Sequence, residues 1–380
     1  MSNWSNLSVD ILNSIVELFY FIDQIRLRVV CKSWRSNIHD GVKCADKLPW
    51  IMGYNPCKEC NGILYDNLVY LYDPSQKRRY RLINKFLIGK KLHASKFDWF
   101  LLSKKGNYFA FYSPFTGEIN RLPKLDMKDT YYTATFSTAP TSSNCVIFVV
   151  SSPYYQGNNK FCVSTCSLGD TTWNSLFYCA FNPQVTYMVA YNPALHEWKV
   201  YPYPLFFQRR YNYRYLIESP DDGNLLLSCY YSGYVFRFDQ SQMKWFRIEN
   251  FMSHYWYNEQ QTELETLNNR VLFCGSLNSI SLPAVEVEAS KLADTIHWFT
   301  YENCITSTGG KGQSCPQIYD WVNRRGPCEW SKVWIQPRHS KKFMTVLQVD
   351  RGLDYISIAF FIPYIVVGFL LFWVYVKQGL

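Results

Sequence analysis

Apolar residues at Leu7, Ile11, Leu12, Ile15, Val16 and Phe19 fall three and four apart, the spacing of one face of an α-helix. Ser8 and Asp10 both suit its start, because a short side-chain oxygen can accept from the unpaired amides of a first turn. The pattern restarts at Asp23 with Ile25, Leu27, Val29 and Val30 and runs on through Trp34 and Ile38. Three short helices are therefore predicted. A unit of about forty residues buries little apolar surface alone, so this block is expected to dock on a partner or on a neighbouring domain.

The middle of the chain changes period. A fourteen-residue pattern recurs from Val69, Phe109, Val163, Met188 and Val235. Each copy has an apolar four-residue stretch and then a turn, opened by Asp73, Ser113, Asn192 or Asp239 in four of the five, with Pro74, Pro114 and Pro193 following three of these. Asp, Asn and Ser side chains bond back to their own backbone and proline presets the next φ, so each copy reads as a β-hairpin. Trp173, Trp198 and Trp245 share one position in three copies and are expected to be equivalent, largely buried between adjacent sheets. The starts lie 40, 54, 25 and 47 residues apart. Three of these intervals suit one four-stranded propeller blade each. The 25-residue step marks either a compressed blade or an offset alignment, and a sandwich also fits proline-opened reversals.

Composition supports a β-rich body: aromatic residues make up 18% of the chain and charged residues only 18%. The net charge of +9 comes from scattered lysines and arginines rather than a dense basic tract, which argues against nucleic acid as a partner. Thirteen cysteines, with no basic-then-apolar opening at the N-terminus, are expected to be reduced thiols packed as small hydrophobes. Cys57 and Cys60 have the spacing of half a zinc site, but no second half follows. The six histidines stand far apart, and no nucleophile elbow or phosphate-binding loop occurs. Gly309 to Gly312 and Asp221 to Asn224 read as surface turns. No metal, cofactor or catalytic activity is expected.

The N-terminal block closely resembles an F-box, the motif that joins a substrate receptor to a Skp-cullin ubiquitin ligase. The resemblance rests on Leu7 and Asp10, on Asp23 with Arg26 to Arg28, and on the string Val30-Cys31-Lys32-Ser33-Trp34-Arg35, typical of plant members. The family usually has Leu-Pro where this chain has Leu7-Ser8. The resemblance implies that Leu7, Ile11, Leu12, Ile15, Leu27, Val30, Cys31 and Trp34 face the Skp adaptor or support that face, with a cullin reached through it. Residues 45–337 resemble the kelch-like domain found behind the F-box in a large plant family. Its most diagnostic stretch runs from Leu272-Phe273-Cys274-Gly275 to Ser279-Ile280-Ser281. That domain is expected to bind a protein substrate, with exposed aromatics such as Tyr154, Tyr155, Tyr211, Tyr213 and Tyr255 as candidates.

Residues 355–376 carry no charge. As a helix of about 33 Å they would match a hydrocarbon core of roughly 30 Å. Arg338, Lys341, Lys342 and Arg351 precede the stretch and only Lys377 follows, which predicts a tail anchor holding the larger part on the cytosolic face of an internal membrane; the competing readings are an apolar strand-and-helix tail packed on the propeller and a spurious extension of the gene model. Without an anchor, the expected setting is cytoplasm or nucleus. The expected fold is α+β and multidomain: a three-helix F-box (residues 1–44), an all-β kelch-like propeller domain (45–337), a basic linker (338–354) and a C-terminal apolar helix (355–376). The leading functional expectation is a non-catalytic substrate adaptor of the ligase; the alternative is a membrane-tethered scaffold that no longer engages it.

Overall fold

The computed structural model describes residues 6–38 and 48–54, most of 59–152 and 160–179, and, in the second half, the strands and a few neighbouring residues as far as 357. Three helices open the chain: α1 (Val9–Glu17), α2 (Phe21–Leu27) and α3 (Lys32–Asn37). Among the described residues five sheets of four or more strands follow, the blades of a propeller. Blade 2 is the meander Lys90–Lys96, Trp99–Lys104, Tyr108–Tyr112, Ile119–Lys124. Blade 3 is Tyr131–Phe136, Val146–Ser152, Lys160–Ser167, Asn174–Cys179. Blade 4 is Arg214–Glu218, Leu225–Cys229, Tyr234–Asp239, Lys244–Asn250.

Blade 1 closes the ring. Its strands from Trp50–Tyr54, Leu68–Asp73 and Arg78–Ile83 are completed by Ser331–Ile335, which pairs antiparallel with the first of them from Trp50↔Ile335 to Tyr54↔Ser331. The beginning and the end of the propeller thus share one sheet. Ser331–Ile335 lies against the first strand of blade 2, and that strand against the first of blade 3, so first strands face the centre.

Blade 5 departs from the meander. Arg270–Cys274 pairs antiparallel with Ile280–Pro283 on one side and parallel with Thr295–Phe299 on the other, and Cys304–Thr308 forms the outer edge. Its Ile280–Pro283 strand lies against the first strand of blade 4.

The five recurring copies coincide with hairpins of the structure. Four are the outer pair of strands of blades 1 to 4, and the fifth is a separate two-stranded sheet, Tyr187–Asn192 with Glu197–Pro202. The 25-residue step is this hairpin, which has no inner strands among the described residues. The turns work as the sequence reading has them. Asp73 Oδ1 accepts from the Ser75 and Gln76 amides at 2.9 and 3.2 Å, and Asp239 Oδ1 does the same for Ser241 and Gln242 at 2.8 and 3.1 Å.

The tryptophans stand at the start of the second strand of each hairpin, Trp173 just before Asn174–Cys179 and Trp198 and Trp245 second in theirs, but Trp173 and Trp245 are half-buried rather than enclosed. Trp173 bridges blades: its Nε1 donates to the Pro123 carbonyl at 2.8 Å and its ring lies 5.6 Å from Phe109. The Trp198 side chain lies outside the described residues, as do Cys57, residues 221–224 and residues 309–312.

Apolar clusters form between blades. Trp50, Met52, Leu71 and Val333 meet Leu92, Phe100 and Leu102 between blades 1 and 2. Leu101, Phe109 and Phe111 meet Phe136, Ile147 and Val149 between blades 2 and 3. Ile51, Tyr72 and Trp334 meet Val271 and Phe273 between blades 5 and 1. Asn278, inside the diagnostic stretch of blade 5, adds a polar clamp: it donates to the Trp334 carbonyl at 2.6 Å and accepts from the Trp334 amide at 3.0 Å.

The C-terminal expectation is corrected. Asp354–Ser357 is a strand, paired antiparallel with Gln348–Arg351, which itself extends the outer edge of blade 1 through Gln348↔Arg81 and Val349↔Tyr80. Among the described residues no helix is long and apolar enough to cross a membrane. Residues 358–376 lie outside the described residues. Among the described residues the body is mostly β with three short helices, none of which could span a membrane, in place of the expected α+β class. The physical reason lies in Tyr355-Ile356-Ser357, where β-branched and alternating residues pair with a neighbouring strand as readily as they wind into a helix.

Two stability tests follow from the closure and the turns. Asn278→Ala removes both bonds to Trp334 and should lower stability by about 2–3 kcal/mol, read from the urea midpoint. Lys77 adopts φ 51° at the position where blade 2 uses Gly117 at φ 69°. Lys77→Gly should therefore raise the urea midpoint, by up to about 1 kcal/mol, since the left-handed region costs a side chain about 1–2 kcal/mol and glycine returns part of that as entropy.

Candidate functional site

The helical block earns its shape from three caps. Ser8 opens α1, with its Oγ accepting from the Ile11 amide at 3.4 Å. Cys31 opens α3, its Sγ accepting from the Trp34 amide at 3.4 Å. Between them the buried Gln24 donates to the carbonyls of Val16 and Phe19 at 2.8 and 3.1 Å, tying α2 to the end of α1. Gln24 escapes the sequence reading because a polar residue on an apolar stripe carries no periodic signal.

Leu12, Val16 and Ile38 form the internal core of the block, with Leu7, Leu27 and Trp34 packed half-buried against them. Ile15 and Cys31 are half-buried as well. Ile11 and Val30 point outward, 53% and 48% exposed. The eight residues singled out in the sequence are thus divided between the inside of the block and its surface. Leu18, Phe19 and Val29 are also exposed. Ile11 and Leu18, seven residues apart, share one stripe of α1, well round the helix from Leu12 and Val16.

Five large apolar side chains are therefore open on some thirty residues, against six over all the rest of the described chain. Exposed apolar side chains at this density are what a protein-docking surface requires. These side chains can bury apolar area against a partner.

The propeller offers different chemistry. Between blades 2 and 3, His93 Nε2 and Ser103 Oγ lie 2.8 Å apart, and Ser103 Oγ and the Tyr132 hydroxyl 3.0 Å apart. His93 stacks on Tyr132 with centroids 5.1 Å apart, and a β-bulge between Leu92 and Ala94 sets its place. Burial, reinforced by the charge of Lys91, pushes the His93 pKa down to about 3. His297 in blade 5 is buried on the Phe273 ring, 3.1 Å from Thr295 Oγ1, and burial holds its pKa near 3 too.

These histidines stay neutral and packed. His93 and Ser103 both belong to blade 2, and the Ser103–Tyr132 contact with the His93–Tyr132 stack ties the pair to blade 3. Among the described residues no group of three His, Cys, Asp or Glu is placed to hold a metal. The free thiols of Cys145, Cys166 and Cys274 are buried, and burial raises all three pKa values, that of Cys166 to about 11. Tyr154, Tyr155, Tyr211, Tyr213 and Tyr255 lie outside the described residues. An exposed aromatic the sequence reading missed is Phe97, at φ 52° in the two-residue turn between the first strands of blade 2.

Comparison with known proteins agrees with this division. A KIB1-4 beta-propeller family model matches residues 71–320, and an F-box domain model matches residues 4–41. An F-box/kelch-repeat protein of Arabidopsis thaliana is 31% identical over 223 residues, 53% of this chain and 59% of the relative. An F-box protein of the same plant is 23% identical over 378 residues, 87% of this chain and 72% of the relative. The chain thus spans little more than half the length of the first of these relatives. Among solved structures, the nidogen/laminin complex superposes with a TM-score of 0.30 at 12% identity, over 54% of this chain and 94% of that one, too loosely to bear on the fold.

The caps and the buried histidines each give a test. Ser8 has φ −60°, the value a proline ring imposes. Ser8→Ala should cost about 1 kcal/mol in thermal or urea unfolding, while Ser8→Pro should stay closer to the parent. His93 and His297 have folded pKa values below the unfolded value of about 6.5, so their contribution is complete above that pH. It is lost as pH falls from about 6.5 toward 3, at up to about 1.4 kcal/mol per pH unit for each histidine. The urea midpoint should drop between pH 6.5 and 4.5, and His297→Gln should make that drop distinctly smaller.

Proposed function

The chain belongs to the KIB1-4 β-propeller family and is a plant F-box protein with a propeller domain; from that premise we propose that it is a substrate adaptor of a Skp-cullin-F-box ubiquitin ligase. The F-box takes the Skp adaptor and, through it, a cullin. The propeller takes a protein substrate. The observation that carries this reading is the exposed apolar face of Ile11, Leu18, Phe19, Val29 and Val30.

In this role the protein needs no nucleophile of its own. Its work is to raise the effective concentration of a substrate lysine near the charged enzyme, as any pair of linked binding sites does. Leu12, and with it Leu7, Leu27 and Trp34, supports the face from inside. Ile11 and Val30 contact the adaptor directly, with Ile15 and Cys31 at its margin. The buried, neutral histidines and raised thiols suit a non-catalytic scaffold.

The experiment is a two-component binding assay with purified Skp adaptor. Ile11→Asp combined with Val30→Asp should weaken binding by at least about 30-fold, roughly 2 kcal/mol, with no change in thermal stability. Leu12→Ala should instead lower stability by about 2–5 kcal/mol, because it empties a packed core position. Absence of binding by the parent protein would overturn the proposal.

A further inference from the structure

Helix α2 is committed to a second contact, inside the molecule. Ile22 and Ile25 are buried in the cluster that also holds Trp50, Leu71 and Tyr80 of blade 1. Beside them Asp23 accepts from Arg26 Nη1 at 2.8 Å and from Gln76 Nε2 at 3.4 Å. Gln76 stands on the turn that Asp73 organises by accepting from the Ser75 and Gln76 amides. Tyr80, fully buried, stacks on Trp50 with centroids 5.4 Å apart and planes 7° from parallel.

The equivalent turn of blade 4 shows what this one would be without a cover. Asp239 makes the same bonds, yet Ser241 and Gln242 are exposed to solvent, whereas Asp73 is fully buried and Ser75 and Gln76 are half-buried. The same turn chemistry is buried to two different degrees, and at the blade 1 copy Asp23 of α2 bonds to Gln76 of the turn. Burial and the charge of Asp73 raise the Tyr80 pKa; Arg78 and, across the joint, Arg26 act against that rise, and Asp23 adds slightly to it.

We propose that blade 1 latches α2, through Asp23 on Gln76 of the Asp73–Gln76 turn and through Ile22 and Ile25 in the apolar cluster with Trp50, Leu71 and Tyr80, so that the exposed apolar residues of the F-box keep one orientation relative to the propeller. The latch assigns the two sides of the F-box. Ile22 and Ile25 belong to the propeller and are withheld from any outside partner, while Ile11, Leu18 and Val30 remain open. It stands whether or not the open face binds the Skp adaptor; if it does, the distance from adaptor to propeller is set by this joint and not by a loose tether.

Amide hydrogen exchange on the full chain, without any adaptor, tests the latch. In the parent, residues 21–28 should be protected together with residues 69–83. Ile25→Glu should speed exchange in both segments at least tenfold and leave residues 146–167 of blade 3 unchanged. Asp23→Lys should give a smaller local rise, and adding Gln76→Glu should restore protection by supplying an opposite charge across the joint. Fast exchange of residues 21–28 in the parent would overturn the proposal. So would an Asp23→Lys effect that is absent, or one that Gln76→Glu fails to reverse.

Discussion

Everything in the β-domain depends on one strand being in place. Ser331–Ile335 fills the inner position of the blade that otherwise begins at Trp50, and it arrives from nearly three hundred residues away. Without it, blade 1 presents an unpaired inner edge and blades 1 and 5 lose Trp334 from their shared cluster. A propeller blade cannot bury its faces alone, so an opening at one seam exposes apolar surface on both sides. Asn278 acts at this seam. Its amide pairs with both backbone groups of Trp334, as a neighbouring strand would, and so joins blade 5 to the closing strand where no regular ladder runs. The stretch that is most diagnostic of the family in sequence is thus a clamp on ring closure. Its use is structural.

How legible the chain was depends on the range of the interactions. The hairpins were plain because each is local: Asp73 or Asp239 closes its turn on amides two and three residues ahead. The helices of the F-box were plain for the same reason, with Ser8 and Cys31 capping within one turn. Closure was not legible, since nothing in Ser331–Ile335 names Trp50–Tyr54 as its partner. The order of blade 5 was hidden too, because a strand that pairs parallel with one neighbour and antiparallel with the other has no distinct pattern. Which F-box residues face outward was only half legible. Helical spacing placed Leu12 and Val16 on one stripe, but a helix with apolar residues on two sides does not say which side meets its own core.

The tail shows the same limit from the other direction. Charge-free length is a property of a whole segment, and over residues 355–376 it favoured a membrane helix. Pairing is decided locally: the free edge of blade 1 lies within reach, and Gln348–Arg351 with Asp354–Ser357 extends it. An edge strand presents a row of unpaired amides and carbonyls, which draws any extended apolar segment near it. Hydrophobicity says that a segment leaves water; it does not say for what.

The F-box therefore has three destinations for its apolar side chains. One set, with Leu12 and Val16, makes the block a folded unit. A second, Ile22 and Ile25, joins the blade 1 core. The third, with Ile11, Leu18 and Val30, remains in water. A block this small cannot be stable on the first set alone, so the second does two things at once: it contributes burial, at about 1.5–3 kcal/mol per isoleucine, and it orients the third. Stability and geometry come from the same two residues. That coupling lets a thirty-residue module carry a partner-facing surface without a large core of its own, because the propeller beneath it serves as the remainder of that core.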